Sequence, residues 1–278
     1  PHGHVSVKID GSPAIIWGTH PVTQKFFVGT KSVFNRKLIK VNYTHKDIDK
    51  NHTGYVAIVL HACLSNLPKT INIYQGDFLG FGGDTVFQPN TVTYVFPENV
   101  EQTILIAPHT QYEVDQCTDD VSLNPLRDTI AIPLYDTLDS NEKVYFYQPM
   151  AIMSVSESLR SRIDFALQMA QMVKFVNKTE ANLLKGELNQ YIREGKKIDS
   201  SDFGDYNLSL IGFYNLIVEI KEELLSSCQS NEVAMTLIEG EECDGEGYVF
   251  HSGYGSFKLV DRRYFSYYNF NLVKEWSG

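Results

Sequence analysis

Lys8 and Asp10 stand near the start of the sequence, in Val5-Ser6-Val7-Lys8-Ile9-Asp10-Gly11-Ser12, while Glu246-Gly247-Tyr248-Val249 and Phe257-Lys258-Leu259-Val260 stand near its end. Candidate chemistry-bearing residues therefore bracket nearly the whole chain. A lysine amine attacks only when deprotonated, and an ordinary pKa of about 10.4 leaves about one part in a few thousand neutral at pH 7. A second cation nearby, Lys258 or a metal ion, disfavours the ammonium form, and burial beside apolar residues acts in the same direction. Lys258 and a divalent ion would also offset the negative charge that gathers on a phosphate under attack. Glu246 offers the hard carboxylate oxygen that magnesium prefers.

The order K-x-D-G, then E-G and two hydrophobic residues, then a strand with a lysine, resembles the covalent nucleotidyltransferase superfamily of ATP-dependent DNA ligases, RNA ligases and mRNA capping enzymes. The resemblance implies that Lys8 attacks the α-phosphate of a nucleoside triphosphate. The products are a lysyl-nucleoside monophosphate and pyrophosphate, and the nucleotide then passes to a nucleic-acid end. By the same match Lys8 and Lys258 are the catalytic residues. Asp10, Gly11, Ser12, Lys31, Asp77, Tyr94 and Glu246 bind the nucleotide, Glu246 and Asp77 also serve the metal, and the cofactors are ATP and Mg2+ or Mn2+. ATP is preferred to GTP from the superfamily alone, since no residue reads the base.

Further segments extend the likeness and qualify it. Ile71-Asn72-Ile73-Tyr74-Gln75-Gly76-Asp77-Phe78-Leu79 falls where the superfamily has D-G-E and a hydrophobic residue, so Asp77 keeps a carboxylate on a side chain one methylene shorter. The same residues also read as a Gly-Asp turn after an apolar strand. In Asn90-Thr91-Val92-Thr93-Tyr94-Val95-Phe96, Tyr94 or Phe96 offers a ring face on which a purine would stack; either also reads as a core aromatic. Phe26-Phe27-Val28-Gly29-Thr30-Lys31-Ser32 is similar to a strand of RNA ligases that ends in Lys-Arg, with Lys31 matching and Ser32 in place of the arginine. Arg36 and Lys37 follow closely and read either as substitutes in phosphate binding or as a solvated basic turn.

Two departures favour an RNA-ligase-like branch. Pro13 occupies the position of the arginine in K-x-D-G-x-R of DNA ligases and capping enzymes, and Ser12 is the small hydroxyl residue common in RNA ligases. Leu259-Val260 follows Lys258 without the usual second lysine, and the sequence then stops at Gly278, which leaves no room for the OB-fold domain of those enzymes. The run from Phe257 through Asp261-Arg262-Arg263-Tyr264-Phe265-Ser266 and Asn269-Phe270-Asn271 to Trp276, with the other motifs, is similar to a family of tailed-phage proteins without an assigned activity. That similarity implies a viral protein working in the cytoplasm of an infected host cell.

The elements that must position these residues are legible from period and composition. Val5, Val7 and Ile9 alternate with Ser6, Lys8 and Asp10, the period of a half-buried strand with Lys8 and Asp10 on one face, and Gly11 ends it. After about Pro149 the pattern turns helical. Ser154-Val155-Ser156-Glu157 reads as a capping box ahead of Leu159, Ile163, Leu167, Ala170 and Val173. Thr179 reads as the cap of a second helix with Leu184, Leu188, Tyr191 and Ile192, and a third runs from about Asp205 with Leu208, Ile211, Leu216, Ile220 and Leu224. The expectation is an α+β fold with a mainly antiparallel nucleotidyltransferase core, ATP-grasp-like as in ligase adenylation domains. Residues 1–149 and 233–278 would make the two parts of that core and 150–232 a helical insertion that clamps nucleic acid, binds a protein partner or covers the sheet.

Composition restricts the partners. The chain has 278 residues, 43% of them hydrophobic, enough for one large core or two smaller ones, and no apolar stretch of membrane-spanning length or signal peptide. It opens on what reads as a core strand, which leaves open whether a segment precedes Pro1. Cys63, Cys117, Cys228 and Cys243 are scattered, suggesting neither a zinc site nor a disulfide framework. The net charge of -10 argues against unaided nucleic-acid binding, although Lys31, Arg36, Lys37, Lys40, Lys46 and Lys50 gather in one stretch. Ala107-Pro108-His109-Thr110 is an unusual run to which no role is given. The function expected is ATP-dependent ligation of a 5′-phosphate end, of RNA before DNA, through Lys8-AMP. The alternative from a different class is a non-catalytic phage binding or scaffold protein that keeps the fold; the altered third motif, the missing lysine and the acidic surface favour it.

Overall fold

The computed structural model of the chain describes residues 3–114, 124–204 and 208–260. The strands come first in short apolar runs: β1 (His4–Val7), β2 (Ala14–Thr19) and β3 (Phe26–Gly29), followed by helices α1 (His45–Asn51) and α2 (Gly54–Asn66). Next are β4 (Ile73–Phe81), β5 (Asp84–Phe87), β6 (Thr93–Val100), β7 (Ile104–Val114), β8 (Thr129–Pro133), β9 (Val144–Phe146) and β10 (Ala151–Met153). Helices α3 (Glu157–Met172), α4 (Lys178–Arg193) and α5 (Leu208–Ser226) follow. The described chain closes with β11 (Cys228–Ser230), β12 (Met235–Ile238), β13 (Glu241–Cys243), β14 (Tyr248–Ser252) and β15 (Gly255–Leu259). The architecture is α+β with antiparallel sheets, β9 alone pairing in parallel, with β7, among the described strands. Among the described residues no helix is long and apolar enough to cross a membrane.

The chain divides into two compact units. Ile9–Pro149 with Glu232–Gly245 make a sheet-rich unit, and the described residues up to Lys8, Met150–Asn231 and 246–260 make a helix-rich one. In the sheet-rich unit the order β3-β2-β4-β7-β8 forms the main sheet, with β9 beside β7, and β13-β12-β6-β5 forms a second. The two-residue period of β2 sends Ile15 and Trp17 to one face and Ile16 to the other. Ile15 and Trp17 pack with Tyr74 and Phe78 of β4 under Val59, Leu60 and Cys63 of α2 and Ile48 of α1. Ile16 packs on the opposite face with Phe27, Val33, Ile73 and Leu126. Burying each such side chain contributes about 1.5–3 kcal/mol, so the period that sorts them also fixes the register.

The helix-rich unit is built on the sheet β1-β14-β15 and the pair β10-β11. Val5, Tyr248, Phe250 and Leu259 project from one face of that sheet onto Leu224, Leu225 and Cys228. Leu159, Ile163 and Ala166 of α3 meet Leu216 and Ile220 of α5, and Arg162 reaches Glu219 and Glu223 at 2.7 Å each. Leu184 and Leu188 of α4 pack with Phe203, Leu210 and Ile211.

Three expectations are corrected here. The cap of α3 is Ser156, whose hydroxyl accepts from Leu159 N–H, and the cap of α4 is Asn177, which makes a capping box with Glu180. Each lies two residues from the hydroxyl expected, Ser154 and Thr179, because the side chain that caps is the one already held extended by its own backbone. The helices of 150–232 are not a separate insertion. The strand carrying Lys8 and those after Glu246 share their unit, because the apolar face of β1-β14-β15 is buried on α5 and β11. The start of the third helix at Asp205, Cys117, and the run from Asp261 to Trp276 lie outside the described residues.

At the start of α1, Asp47 Oδ2 accepts from the Thr44 hydroxyl at 2.8 Å and from the Thr44 and Tyr43 backbone amides, while Thr44 Oγ1 accepts from Asp47 N–H. The Thr44 hydroxyl foremost, then the two amides, hold the Asp47 carboxyl below the usual aspartate range. A carboxylate whose folded pKa is depressed contributes stability above its unfolded pKa and loses it as pH falls through the folded value. Asp47→Ala is expected to lower unfolding free energy by about 1 kcal/mol at pH 7, solvent screening keeping the effect modest, with the deficit shrinking below about pH 4. Urea melts of both proteins at pH 7 and pH 3 would measure this; an equal deficit at both would overturn it.

Candidate active site

The lysine is placed by a backbone ladder. Ser6 pairs with Val249 and Val249 with Lys258, and one step along His4 pairs with His251 and His251 with Ser256. Beyond the end of β1 the ladder takes one more step, Lys8 N–H donating to Gly247 O at 2.8 Å. Strand alternation therefore puts His4, Ser6 and Lys8 on the face that also carries His251, Ser256 and Lys258, opposite the apolar face. Gly247 makes this approach feasible: its φ is +115°, and a Cβ there would lie 2.3 Å from Leu259 O. The E-G motif is thus the seat of the lysine strand. Lys8 Nζ is ion-paired with Glu246 Oε2, both side chains less than one-fifth exposed, so water and salt weaken the pair less than a surface one.

In the sheet-rich unit Asp10 is buried, and its carboxylate is consumed by the chain itself. Oδ1 accepts from Asn90 Nδ2 at 2.8 Å, and Oδ2 accepts from the backbone N–H groups of Thr91 at 2.8 Å and Val92 at 3.1 Å. Asp10 N–H donates to the Tyr94 hydroxyl at 2.7 Å. Tyr94 is 1% exposed, so its ring has no face free for a base. Asp10 and Tyr94 therefore hold the K-x-D-G loop to the strand β6. The expectation of Lys8 and Asp10 on one strand face is corrected. The strand ends at Val7, and the chain passes from one unit to the other between Lys8 and Ile9.

Gly11 lies against the third motif. A Cβ on it would stand 2.7 Å from Asp77 Cβ and 3.0 Å from Phe78 O, and Ser12 N–H donates to Phe78 O at 3.0 Å. Asp77 sits within β4, paired with Ala14 and Ala107, rather than in a turn. Its Oδ2 is 3.7 Å from His109 Nε2, and Gln75 Nε2 is 3.4 Å from the same nitrogen. Tyr112 donates its hydroxyl proton to Gln75 Oε1 at 2.6 Å, and His109 Nδ1 lies 2.7 Å from Thr110 Oγ1. Gln75 pairs with Thr110 but Gly76 with Pro108, so His109 is the extra residue of a β-bulge, a device that re-aims a side chain. The residue left without a role is therefore Asp77's neighbour, and Pro108 inside an apolar strand was the available signal. Lys31, itself exposed, opens a 3-10 turn, Lys31–Phe34, capped by Thr30 and anchored by the buried Val33.

The helix-rich unit thus offers an amine, a carboxylate at its side and a second amine in the next row, and the sheet-rich unit offers a partly exposed carboxylate with an imidazole. Among the described residues no three His, Cys, Asp or Glu side chains converge to cage a metal. The donor chemistry of Glu246 or Asp77 suits magnesium, which takes one or two carboxylates and completes its shell with phosphate and water.

Residues 1–208 and 201–274 match the model of a family of unknown function, DUF6267. No curated protein and no solved structure matches the chain.

Gly11→Ala is expected to cost about 1–3 kcal/mol, because its methyl meets Asp77 Cβ and the Phe78 carbonyl as well as the Leu79 side chain, and the first two cannot give way. Asp10→Ala should cost about 2–4 kcal/mol by leaving the two amides and Asn90 without their acceptor. Thermal melts decide both, and an Asp10→Ala protein as stable as the parent would show that the clamp is not needed.

Proposed function

The chain belongs to that family of unknown function, DUF6267, and from its residues we propose that it is an ATP-dependent polynucleotide ligase, of RNA before DNA, acting through a Lys8-AMP intermediate. What supports this reading above all is the pairing of Lys8 with Glu246, side chains from opposite ends of the sequence held by the ladder bond from Lys8 N–H to Gly247 O. In the first step Lys8 Nζ bonds to the α-phosphorus of ATP. The bond from that phosphorus to the bridging oxygen breaks, and pyrophosphate leaves with the electron pair. The amine gives up its proton, for which Glu246 is the nearest base. An oxygen of a 5′-phosphate end then attacks the same phosphorus and takes AMP from the lysine. Lys258 offsets charge on the phosphate. A divalent ion, when bound, supplies further neutralisation, and the Glu246 carboxylate is the oxygen that would hold it. By resemblance Asp77 and Lys31 serve the nucleotide.

A second reading, a non-catalytic phage binding or scaffold protein, is favoured by one observation: Asp10 and Tyr94 are occupied within the chain.

Incubation with α-labelled ATP and magnesium or manganese is expected to leave an alkali-stable, acid-labile label on Lys8. Lys8→Arg should lose the label while keeping most nucleotide binding, and Lys258→Ala should label about a hundredfold more slowly. Absence of label with every common nucleotide and both metals would favour the binding protein. Glu246→Gln should lose most at low metal and recover in part as metal rises. Sealing of 5′-phosphorylated nicks should depend steeply on ionic strength or on a partner, given the acidic chain; efficient sealing of DNA with none of RNA would overturn the RNA preference.

A further inference from the structure

The polar face of β1-β14-β15 holds three rows: Lys8 beside Gly247, Ser6 beside Val249 and Lys258, and His4 beside His251 and Ser256. Nothing proposed above uses the third row or Ser6. At its centre is the His251 imidazole, with Ser256 Oγ 2.8 Å from Nδ1 and Ser6 Oγ 3.0 Å from Nε2. The His4 ring stacks on it, centroids 5.9 Å apart and planes 21° apart. Three strands thus fix one imidazole between two hydroxyls.

This arrangement has a donor surplus. A neutral imidazole donates through one nitrogen and accepts through the other, so the hydroxyl that receives the ring proton keeps its own to direct elsewhere. An imidazolium donates through both nitrogens and releases both hydroxyl protons outward. The exposed Lys258 ammonium adds three further donors in the adjoining row. Among the described residues at this face, the Glu246 carboxylate is already ion-paired with Lys8. Donors of this kind suit the clustered oxygens of an oxyanion, for which charge-assisted hydrogen bonds are the strongest available. Ser6 stands two residues from Lys8, about 7 Å along the strand, within the reach of a diphosphate that begins at a phosphorus on Lys8 Nζ.

Resting on the reading of Lys8 as nucleophile, we infer that His251, held between Ser6 and Ser256 with Lys258 alongside, seats the pyrophosphate that departs as the bond from Lys8 to phosphorus forms. The row takes no proton from the reaction. It hydrogen-bonds the leaving oxygens as the bond to the α-phosphorus breaks, which makes His251 and Ser256 leaving-group-binding residues. A terminal 5′-phosphate presents the same oxygens, so the two sources are separated by the probe.

The test is calorimetric titration of the full chain with inorganic pyrophosphate, and in parallel with one RNA oligonucleotide carrying a 5′-phosphate or a 5′-hydroxyl. His251→Ala and Ser256→Ala are expected to weaken pyrophosphate binding about tenfold each and to leave both oligonucleotides unchanged. His251→Gln, which keeps hydrogen-bonding capacity and bulk, should fall between. In the parent protein the His251 ring resonances, identified by their loss in that variant, should shift on pyrophosphate addition whether or not the alanine variants fold. A tenfold loss confined to the phosphorylated oligonucleotide would overturn the assignment in favour of the acceptor end; unchanged affinities or an unmoved ring signal would overturn it outright. None of these titrations needs transfer to occur. A normal Lys8 label with unchanged affinities would sink only this inference, and loss of pyrophosphate binding without any Lys8 label would sink the ligase reading instead.

Discussion

Everything proposed for the lysine depends on the close approach at Gly247. Lys8 can extend the β1 ladder only because the residue opposite it has no side chain and adopts a φ of +115°, with Leu259 O where a Cβ would be. Any other residue would have to push β14 from β15 or abandon the left-handed conformation, and both move the strand on which Lys258 stands. The ladder is antiparallel, so its alternation does the remaining work. One face becomes apolar and is buried on α5 and β11, and the other collects Lys8, Lys258, Ser6 and His251.

The sheet-rich unit is governed by a different constraint, the satisfaction of a buried carboxylate. Asp10 accepts from two consecutive backbone amides and from Asn90, and its own amide is taken by the Tyr94 hydroxyl. A carboxylate so used is a structural anchor, since leaving any of those donors unpaired in the interior would cost more than a ligand contact readily returns. The clamp draws the K-x-D-G loop against β6, and Gly11 then settles against Asp77 and Phe78. Two motifs far apart in sequence are coupled by the absence of one methyl group.

The helices of 150–232 were legible because apolar spacing of three and four residues survives without knowledge of what is packed against it, as with Leu159, Ile163 and Ala166 or Leu184 and Leu188. Their caps were displaced by two residues, since Ser154, Ser156, Asn177 and Thr179 all carry suitable oxygens and only backbone conformation selects among them. The role of Tyr94 was not legible either. An aromatic on an alternating strand serves a base or a core equally well until its burial is known, and here the hydroxyl, not the ring face, is the functional group.

By itself the sequence determined the local period of β1 and the helices, the Gly residues that follow Lys8-Ile9-Asp10 and Glu246, and the set of amines and carboxylates available for chemistry, because these follow from residue type and near-neighbour spacing. Only the tertiary structure decided that Lys8 meets Glu246, that His109 is turned toward Asp77 by a bulge, that Asp10 faces inward, and that His251 sits between Ser6 and Ser256. The strand contacts are set by register between segments far apart in the chain, where a shift of one residue would turn those side chains to the opposite face, and Asp10 is set by the amides of Thr91 and Val92, which only the folded chain brings to it.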